Sequence, residues 1–406
     1  MENATVKGRD IIMLGIQPWD LDIAHNFKNM AQVIARHNRV LYVNRPLDRV
    51  TRYKAPKDIK TINRLKSIKE GVNTLSEVAP QLYVLNPPVL LESINWMPHN
   101  ALYTYMNKRN NRLLAKAIRE AAASLGFKDA ILFIDNDFYN GLYLPELLQP
   151  ALSMYYLRDY LLAQPYFNKH GQFAEPEIIK KVDLVVTNSL YLTSYAARYN
   201  PNSYYTGQGC GDEFFTEAPT EFPDDIRHIS TPIIGYCGFL TDMRLDLNLM
   251  ETMARLKPEW QWVLIGPEDD VFKQSSLHQL FNVHFLGSKP VESLPDYVHR
   301  FDVCLNPQKV NQLTIGNYPR KVDEYLATGK PVVATRTETM EDFADCVYLC
   351  NGPEEYIQAI EKSLQEKDNQ QLIQHRIRVA RSHTWENSVQ KMYDAIQAHT
   401  PKQEKK

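Results

Sequence analysis

The chain has 406 residues, a hydrophobic content of 44% and a formal net charge of −2. That length exceeds one ordinary hydrophobic core and indicates two domains, and the near-neutral charge gives no reason to expect a nucleic-acid partner. The five cysteines form no CxxC pair, which is typical of reduced thiols in a cytosolic protein. The N-terminus lacks the apolar stretch of a secretory signal, and the apolar runs fall short of the ~18–20 residues of a membrane span. We therefore expect a cytoplasmic protein, either soluble or peripheral to a membrane.

The first half of the chain has a pattern of strands that alternate with helices. Strands are predicted at Asp10–Ile16 and Arg39–Asn44, with apolar residues at roughly helical spacing between them. Mostly apolar strands separated by helices indicate a parallel sheet covered on both faces. The later strands of this half are QLYVLNP, AILFIDND, SMYYLRD, DLVVTNS and SYYTGQG.

Two segments interrupt this pattern. Residues 45–69 are crowded with lysine and arginine, which favours a solvated, mobile loop. The alternative is a contact with anionic lipid headgroups, to which each basic residue would add about 1 kcal/mol. Residues 87–119 mix large apolar and aromatic side chains with basic ones. This second segment is either core with a solvated rim, which is the default interpretation, or an interfacial surface with aromatic anchors.

Polar residues follow several strands of the first half, at the end where ligands of parallel sheets bind. Asp20 and His25 follow the first strand, and Asp137 and Asp159 follow two later ones. All four are candidates for contact with a bound substrate. The structural alternatives are an ordinary histidine of an amphipathic helix and helix capping by the two later aspartates.

A second series of strands starts at Pro232–Gly238 and again alternates with helices. The segment before it, residues 212–231, is acidic, contains proline and lacks periodicity, so we interpret it as an interdomain linker. The sequence therefore predicts two Rossmann-like domains, residues 1–211 and 232–383, with parallel sheets that face a central cleft. The other strands of this series are QWVLIG, NVHFLG, DVCLNP, PVVAT and CVYLC.

The stretch GNYPRKVDEYLATGKPVVAT, residues 316–335, predicts a short helix between a glycine turn and an apolar strand. Pro319 suits the first helical position, because its missing N–H would be unpaired there in any case. The helix is expected to run to about Thr328, with Gly329 just past its end.

Two charged residues lie near the start of this helix. Lys321 and Glu324 are three residues apart, so we expect them side by side on one face. The turn at residues 315–317 leaves backbone N–H groups at the helix start, where the partial positive charge favours phosphate, and Lys321 adds a full charge. Glu324 is placed to accept hydrogen bonds from a ribose diol, so the arrangement suits a nucleotide diphosphate. The alternative is an exposed Lys–Glu pair worth about 0.3–0.5 kcal/mol.

This stretch resembles the donor-site motif of GT-B glycosyltransferases of the family-4 (group 1) type, which are retaining enzymes that use a nucleotide-sugar donor. It is most similar to the bacterial branch that includes teichuronic-acid and exopolysaccharide enzymes, whose motif reads P-x-K-x-x-E-Y-x-A-x-G-K-P-V-V. By that resemblance Glu324 binds the ribose hydroxyls. The residues that fit the motif are Pro319, Lys321, Glu324, Tyr325, Ala327, Gly329, Lys330 and Pro331–Val333.

The resemblance covers most of the chain. Gly238 matches the glycine turn that opens the family's second domain, and Arg244 matches the basic residue that holds the donor's phosphates. Phe239 stands where the family usually has arginine, and Gly316 stands where a glutamate normally approaches the sugar. Residues 384–400 resemble the helix that crosses back to the first domain. The other residues then expected to contact the donor are Thr314, Ile315, Asn317 and Pro319.

The resemblance implies transfer of a sugar, with retention, from a nucleotide diphosphate donor to a glycan or lipid-linked acceptor, with neither a cofactor nor a bound metal. Arg244, Lys321 and the helix start would stabilise the leaving diphosphate. Within that reaction Asp20 and His25 become catalytic candidates in contact with donor sugar or acceptor.

Asp137 and Asp159 become candidates for acceptor contacts within the same reaction. Two other functions stay open. One is a nucleotide-sugar 2-epimerase with the same two-domain architecture. The other is a non-catalytic partner subunit that only binds, an interpretation favoured by Phe239 and Gly316.

Overall fold

The chain folds into two compact units. The computed structural model describes residues 6–21 and 25–399. Residues 1–5, 22–24 and 400–406, which include the start of the first predicted domain and part of the loop after the first strand, lie outside the described residues. The first unit comprises the described residues up to Gly207 and those from Ser388 onward, and the second comprises Gln208–Asn387.

The first unit is built on one large sheet. Its strands in chain order are β1 (Asp10–Gly15), β2 (Arg39–Val43), β3 (Leu47–Asp48), β4 (Leu75–Ala79), β5 (Leu82–Leu85), β6 (Leu90–Leu91), β7 (Ile131–Asp135), β8 (Leu152–Leu157), β9 (Leu184–Thr187) and β10 (Ser203–Tyr205). Eight of them form a sheet in the order β10-β9-β8-β7-β1-β2-β5-β4, while β3 and β6 pair separately. All neighbours in the large sheet are parallel except β4, which runs antiparallel to β5. The sequence did not predict β3, β4 or β6 because they are short or lie at an exposed edge.

Helices cover both faces of this sheet, and every residue of β1 and β8 is buried. Near-continuous apolar strands of this kind are expected only where a parallel sheet has no face open to solvent. The helices are α1 (Asn26–Ala35), α2 (Arg49–Lys54), α3 (Ile59–Glu70), α4 (Ala101–Ser124), α5 (Leu144–Leu148), α6 (Pro165–Lys181) and α7 (Leu190–Ala197).

The second unit is built on a six-stranded sheet of β11 (Ile233–Cys237), β12 (Gln261–Ile265), β13 (Val283–Gly287), β14 (Val303–Asn306), β15 (Val332–Thr335) and β16 (Tyr348–Cys350). The sheet is fully parallel, and its strands lie in the order β13-β12-β11-β14-β15-β16. The order reverses between β11 and β14, which makes that position the topological switch point. Its helices are α8 (Asp224–Arg227), α9 (Leu247–Leu256), α10 (Asp270–Lys273), α11 (Leu294–Arg300), α12 (Arg320–Ala327), α13 (Pro353–Glu366) and α14 (Gln370–Ser382). The last helix, α15 (Trp385–His399), has only its first residues in this unit.

Each face of the second sheet has its own core. Val332 and Ala334 of β15 belong to one cluster with Tyr325 of α12. Val333, which points the other way in the strand, belongs to a second cluster with Tyr356 of α13. The α/β architecture with helices on both faces of parallel sheets is therefore confirmed.

The basic segment at residues 45–69 is helical, so the prediction of a mobile loop was wrong. It forms α2 and α3, and α3 buries only Thr61 and Ser67. Asp58 caps α3 by accepting a hydrogen bond from the Thr61 N–H at 2.7 Å, and Gly71 ends it at φ +68°. Capping signals decide this helix, and we missed them because it has no broad apolar stripe.

Residues 212–231, predicted as a linker, contribute Phe214 and Ile226 to the core of the second unit. Helix α15 contributes its residues from Ser388 onward to the first unit, where the Asn38 side-chain amide donates to the Tyr393 hydroxyl at 3.0 Å. The boundaries drawn from the sequence stay a prediction. None of the helices in the described part of the chain has the length and hydropathy that a membrane span requires.

Candidate functional site

Helix α12 and the loop before it lie at the carboxyl end of β14, beside the switch point of the second sheet. Pro319 is the N-cap residue and Arg320 the first helical one, one position later than predicted. Tyr325 is fully buried and its hydroxyl accepts a hydrogen bond from the Cys237 N–H of β11 at 2.8 Å. The helix ends at Ala327, and Gly329 follows at φ +76°, as expected for a residue past a helix end.

The turn before α12 satisfies much of its own hydrogen bonding. The Thr314 N–H donates to the side-chain oxygen of Asn311 at 3.1 Å. The Ile315 N–H donates to the backbone carbonyl of Asn311 at 2.9 Å, and the Asn317 N–H donates to the Thr314 carbonyl at 3.0 Å. The Thr314 hydroxyl donates to the Lys309 carbonyl. The prediction that residues 315–317 leave their N–H groups to a phosphate was therefore wrong for Ile315 and Asn317. Asn311 supplies the partner of the Ile315 N–H and Thr314 that of the Asn317 N–H, and neither contact is evident from the sequence.

Lys321 and Gly238 meet at the centre of this region. The Lys321 ammonium lies 4.7 Å from the centre of the Tyr236 ring. Gly238 has φ +143°, and a Cβ placed on it would lie 3.0 Å from the Lys321 Cε and 3.0 Å from the Tyr236 hydroxyl. A side chain at position 238 would therefore displace Lys321, so glycine is needed for both conformation and space.

Glu324 forms its ion pair with Arg320, one helical turn earlier, and not with Lys321. The Arg320 Nε lies 2.7 Å from the Glu324 Oε1, and the Glu324 side chain is 11% exposed. Arg320 was not among the residues predicted for the site, although the spacing of four residues signals such a pair. Lys321 instead lies over Tyr236, so the two charges that the motif places together have different partners.

A buried carboxylate holds the residues before α12. Asp323 is completely buried and accepts a hydrogen bond from the Tyr318 hydroxyl at 2.7 Å. The His383 Nδ1 lies 2.9 Å from the other carboxylate oxygen. Burial raises the pKa of Asp323, and His383 opposes that shift. Through Tyr318, this cluster orients the chain that leads into the helix.

Arg244 lies on the loop after β11, which pairs with the loop after β14. The Arg244 carbonyl accepts a hydrogen bond from the Lys309 N–H at 2.9 Å, and Leu245 bridges to Gln308 in antiparallel fashion. Phe239, on the same loop, is 51% exposed. The second unit thus gathers Gly238, the loop of Arg244, residues 314–319, Lys321 and Glu324 at one end of its sheet.

The first unit has a different kind of polar cluster at the carboxyl ends of its strands. Arg158 at the end of β8 contacts Asp135 of β7, with Nε–Oδ1 and Nη2–Oδ2 distances of 2.7 and 3.3 Å. It also contacts Asp159 at 2.8 Å and Gln17 at 3.1 Å. Burial acts to lower the pKa of Arg158, but the two carboxylates outweigh that effect and raise it. The sequence analysis identified Asp159 but missed Arg158 and Asp135, because only the strand pairing brings them together.

The other candidates of the first unit have structural partners. Asp137 accepts hydrogen bonds from the Tyr139 and Asn140 N–H groups at 3.2 and 2.9 Å and so closes a turn, whereas the next helix, α5, has Tyr143 as its N-cap. The His25 Nδ1 accepts from the Lys28 N–H at 3.3 Å and caps α1.

Asp20 lies 3.0 Å from Arg64 of α3 and is 43% exposed. Its role, like those of the other candidates of the first unit, stays a prediction. Among the described residues, no group of three His, Cys, Asp or Glu side chains is arranged to hold a metal ion.

Comparisons with known proteins show what this chain is similar to. Residues 231–366 match the family model of group 1 glycosyl transferases. The putative teichuronic acid biosynthesis glycosyltransferase TuaH of Bacillus subtilis (strain 168) is 27% identical to this chain over 241 residues, which cover 56% of this chain and 60% of that protein. The chain thus spans about 60% of the length of this curated relative.

Two solved structures cover nearly the whole chain. Sucrose-phosphate synthase from Thermosynechococcus elongatus has a TM-score of 0.69 at 15% identity and matches 97% of this chain and 100% of its own. Anabaena HepE in complex with UDP and glucose has a TM-score of 0.63 at 14% identity, with 96% and 100% covered. The fold is therefore GT-B. Within it, residues 231–366 form a group 1 glycosyltransferase domain.

Proposed function

We propose that this protein is a retaining glycosyltransferase that transfers a sugar from a nucleotide-diphosphate donor to a glycan or lipid-linked acceptor in the synthesis of bacterial cell-surface polysaccharide. The observation that supports this most is the grouping of Gly238, Lys321 and Glu324 around the start of α12. These residues match the family's donor motif, and the structure brings them to the switch point where ligands of such sheets bind.

The donor's diphosphate would lie beside Lys321. The ammonium adds a full charge to the partial positive charge of the helix start, and Gly238 leaves room for it. Glu324 lies further along the same helix with its carboxylate held by Arg320 at 2.7 Å. On donor binding, this carboxylate would accept hydrogen bonds from the ribose diol. The relative HepE is described with UDP and glucose, which supports a nucleotide-sugar donor for this chain.

Transfer with retention requires stabilisation of the negative charge that develops on the leaving diphosphate. Lys321 and Arg244 would supply fixed positive charge there, which is usually a large contribution to catalysis. We expect the reaction to need neither a bound metal nor a cofactor. Gly316 has no side chain to contact the donor sugar, so backbone groups at residues 314–317 other than the paired N–H groups of Thr314, Ile315 and Asn317 would take that role.

The acceptor would be bound by the first unit. Asp137 and Asp159 are our candidates for that contact, and Asp20 and His25 for contact with donor sugar or acceptor. Asp20 is the most accessible of the four, with its side chain 43% exposed. Its removal is therefore the first to test in a transfer assay.

The donor site is tested by a thermal-shift screen of the full chain against UDP, GDP, ADP and their common sugars. One nucleotide should raise the melting temperature, because a ligand that binds only the native state stabilises it by mass action. Glu324→Ala should abolish the shift, since a hydrogen bond to a charged group contributes about 1.5–3 kcal/mol. Glu361→Ala is the matched control, because Glu361 is also ion-paired, to Lys257 at 2.6 Å, on another helix. A full shift in Glu324→Ala would contradict the site.

Turnover distinguishes transfer from the two other functions. Release of free nucleotide in the presence of acceptor supports transfer. Isomerised donor without nucleotide release would support a 2-epimerase. Retained donor binding without turnover across acceptors would support a non-catalytic subunit, which the exposed Phe239 and the absent side chain of Gly316 favour.

We further propose that the first unit contacts the anionic cytoplasmic surface of a membrane. Trp96, Leu102 and Tyr105 are 73%, 57% and 59% exposed. Tyr53 and Ile59 of the basic helices α2 and α3 are 76% and 63% exposed. The two regions are neighbours, because the Val50 N–H donates to the Ser93 hydroxyl at 2.9 Å and Arg49 pairs with Glu92 at 2.7 Å. Exposed aromatic and apolar side chains beside basic ones suit a lipid interface.

Vesicle sedimentation tests this contact. The full chain should sediment with vesicles that contain phosphatidylglycerol and remain in solution with pure phosphatidylcholine. Trp96→Ala should weaken sedimentation, whereas Phe281→Ala, which removes an 80% exposed aromatic ring from the second unit, should not. Equal sedimentation with both lipids, or none with either, would contradict the proposal.

A further inference from the structure

A cavity of 450 Å³ lies in the second unit, between the starts of α9 and α13. Its lining residues Leu249 and Tyr356 belong to one core of the sheet, whereas Val322 and Tyr325 of α12 belong to the core on the opposite face. The cavity therefore lies on the face of the sheet opposite α12, and it adjoins the loop of Arg244 through the bridge between Leu245 and Gln308. Its volume lies within the range of small-molecule sites, about 300–1,000 Å³.

One buried polar side chain in the lining has no partner. Gln308 is 3% exposed, and its Oε1 has no hydrogen-bond partner among the described residues. Asn306, two residues earlier, also has a buried amide without a partner, and its carbonyl accepts a hydrogen bond from the Tyr356 hydroxyl at 3.3 Å. Buried polar groups are normally paired, so an unpaired amide at a cavity wall indicates a place for a polar ligand.

The charges around the cavity disfavour an anion. Asp246 lines it and accepts a hydrogen bond from the Leu249 N–H at 3.0 Å with one oxygen, Oδ1. The start of α13, which would attract an anion, already has a carboxylate: Glu355 accepts hydrogen bonds from the Asn351 N–H and side-chain amide, each at 3.0 Å. No lysine or arginine occurs among the lining residues, all of which are described. A phosphate or nucleotide would therefore meet the carboxylate of Asp246 and no positively charged side chain in the lining.

We propose that this cavity is a binding site for a neutral carbohydrate, distinct from the donor site. Amide, hydroxyl and carboxylate groups, from Gln308, Thr335 and Asp246, suit the paired donors and acceptors of sugar hydroxyls. Val310 and Pro353 add an apolar wall for the C–H face of a sugar ring. Such a site would hold a glycan on the same domain that binds the donor, yet it requires no particular reaction and can exist even if the proposed transferase function is wrong.

Saturation-transfer NMR of the full chain with maltose, cellobiose and N,N′-diacetylchitobiose tests the proposal. At least one disaccharide should receive saturation, and saturating UDP should not displace it. Gln308→Leu and Thr252→Trp should each weaken binding about tenfold, or 1.4 kcal/mol. The Gln308→Leu variant should fold, because an apolar group of similar shape in place of an unpaired amide is often tolerated. Thr252 is exposed on α9 at the cavity, so a tryptophan there would occupy cavity space.

Leu256→Trp is the matched control, because it adds the same ring to an exposed position of α9 outside the cavity. Circular dichroism of each variant checks folding. Saturation of none of the three disaccharides would overturn the site, and so would unchanged binding in both cavity variants. Displacement by UDP would place the sugar at the donor site and equally overturn the proposal, whereas the UDP thermal shift tests the donor site independently.

Discussion

The two sheets of this protein use charge differently at their carboxyl ends. In the second unit Lys321 lies over an aromatic ring, and Glu324 forms an ion pair with Arg320 on its own helix. In the first unit Arg158 is nine-tenths buried and contacts Asp135, Asp159 and Gln17 at once. The Glu324 and Arg158 side chains are equally buried, at 11% and 10% exposed, so the two sites differ in pairing. The contrast teaches that the same topology places polar groups at the same edge of each sheet, but a ligand is expected where a charge has few protein partners.

The largest effect on stability is expected when Arg158 is removed from its cluster with Asp135 and Asp159 in the first unit. Arg158→Met leaves Asp135 buried and uncompensated, so the free energy of unfolding should fall by about 3–5 kcal/mol. Hydrogen exchange of the β7 and β8 amides would measure the loss within this unit. The double variant Arg158→Met/Asp135→Leu should recover much of it, because replacing both partners removes the unpaired charge. A loss below about 1 kcal/mol in the single variant would show that Asp135 does not depend on Arg158 to compensate its buried charge.

A buried carboxyl group of the same unit should make its stability depend on pH. Glu175 is fully buried between the hydroxyls of Tyr155 and Tyr195, at 3.4 and 3.1 Å, and burial raises its pKa from 4.5 to about 8. The native state therefore keeps a proton that the unfolded state releases, so stability falls as the pH rises from 4.5 to about 8. The loss should approach about 4 kcal/mol across that window, at 1.36 kcal/mol per unit.

Urea unfolding at several pH values, monitored in the first unit, would measure this dependence. Glu175→Gln should remove it and leave the unit relatively more stable at pH 8 than the wild type. Glu177→Gln changes an exposed carboxylate on the same helix and should leave the dependence intact. If both variants retained the same pH profile, Glu175 would not be the responsible group.

At the candidate donor site of the second unit, a single added methyl group should lower both stability and nucleotide binding. Gly238→Ala puts a Cβ 3.0 Å from Lys321 at φ +143°, so it should cost about 1–3 kcal/mol of stability and also reduce the thermal shift given by nucleotide. Gly287→Ala is the control, because it has positive φ, +68°, but nothing within 4 Å of the new Cβ. It should cost stability without changing the nucleotide response. Equal nucleotide-induced thermal shifts in the two variants would show that Gly238 is not part of the donor site.

The smallest effect is expected at an accessible ion pair of the second unit. Lys309 and Asp242 are 35% and 39% exposed and 2.5 Å apart, so Lys309→Met should change the free energy of unfolding by less than about 1 kcal/mol. The loop after β11 is held instead by backbone bonds, such as that from the Asp246 N–H to the Pro307 carbonyl at 2.9 Å. Thermal unfolding checks this, and a loss as large as that of Arg158→Met would remove the contrast between the two units.

The sequence by itself determined the parts of this protein that depend on local spacing. The alternation of apolar strands and helices gave the α/β class, since burial of both faces of a parallel sheet imposes it. The residues of α12 gave the donor motif, because the cap, the charges and the closing glycine lie within one short stretch. The glycine turn at Gly238 was also predicted from its position at the end of a strand.

The tertiary structure alone decided which groups are paired. Arg158 and Asp135 lie on different strands and meet only because β7 and β8 are neighbours. Asn311 occupies the Ile315 N–H, which looked available, and His383 supports α12 from far along the chain. Contacts between distant residues depend on strand order and packing, and no local pattern records them. For that reason the sequence indicated a candidate nucleotide motif, while the fold decided which of its charges have partners within the protein.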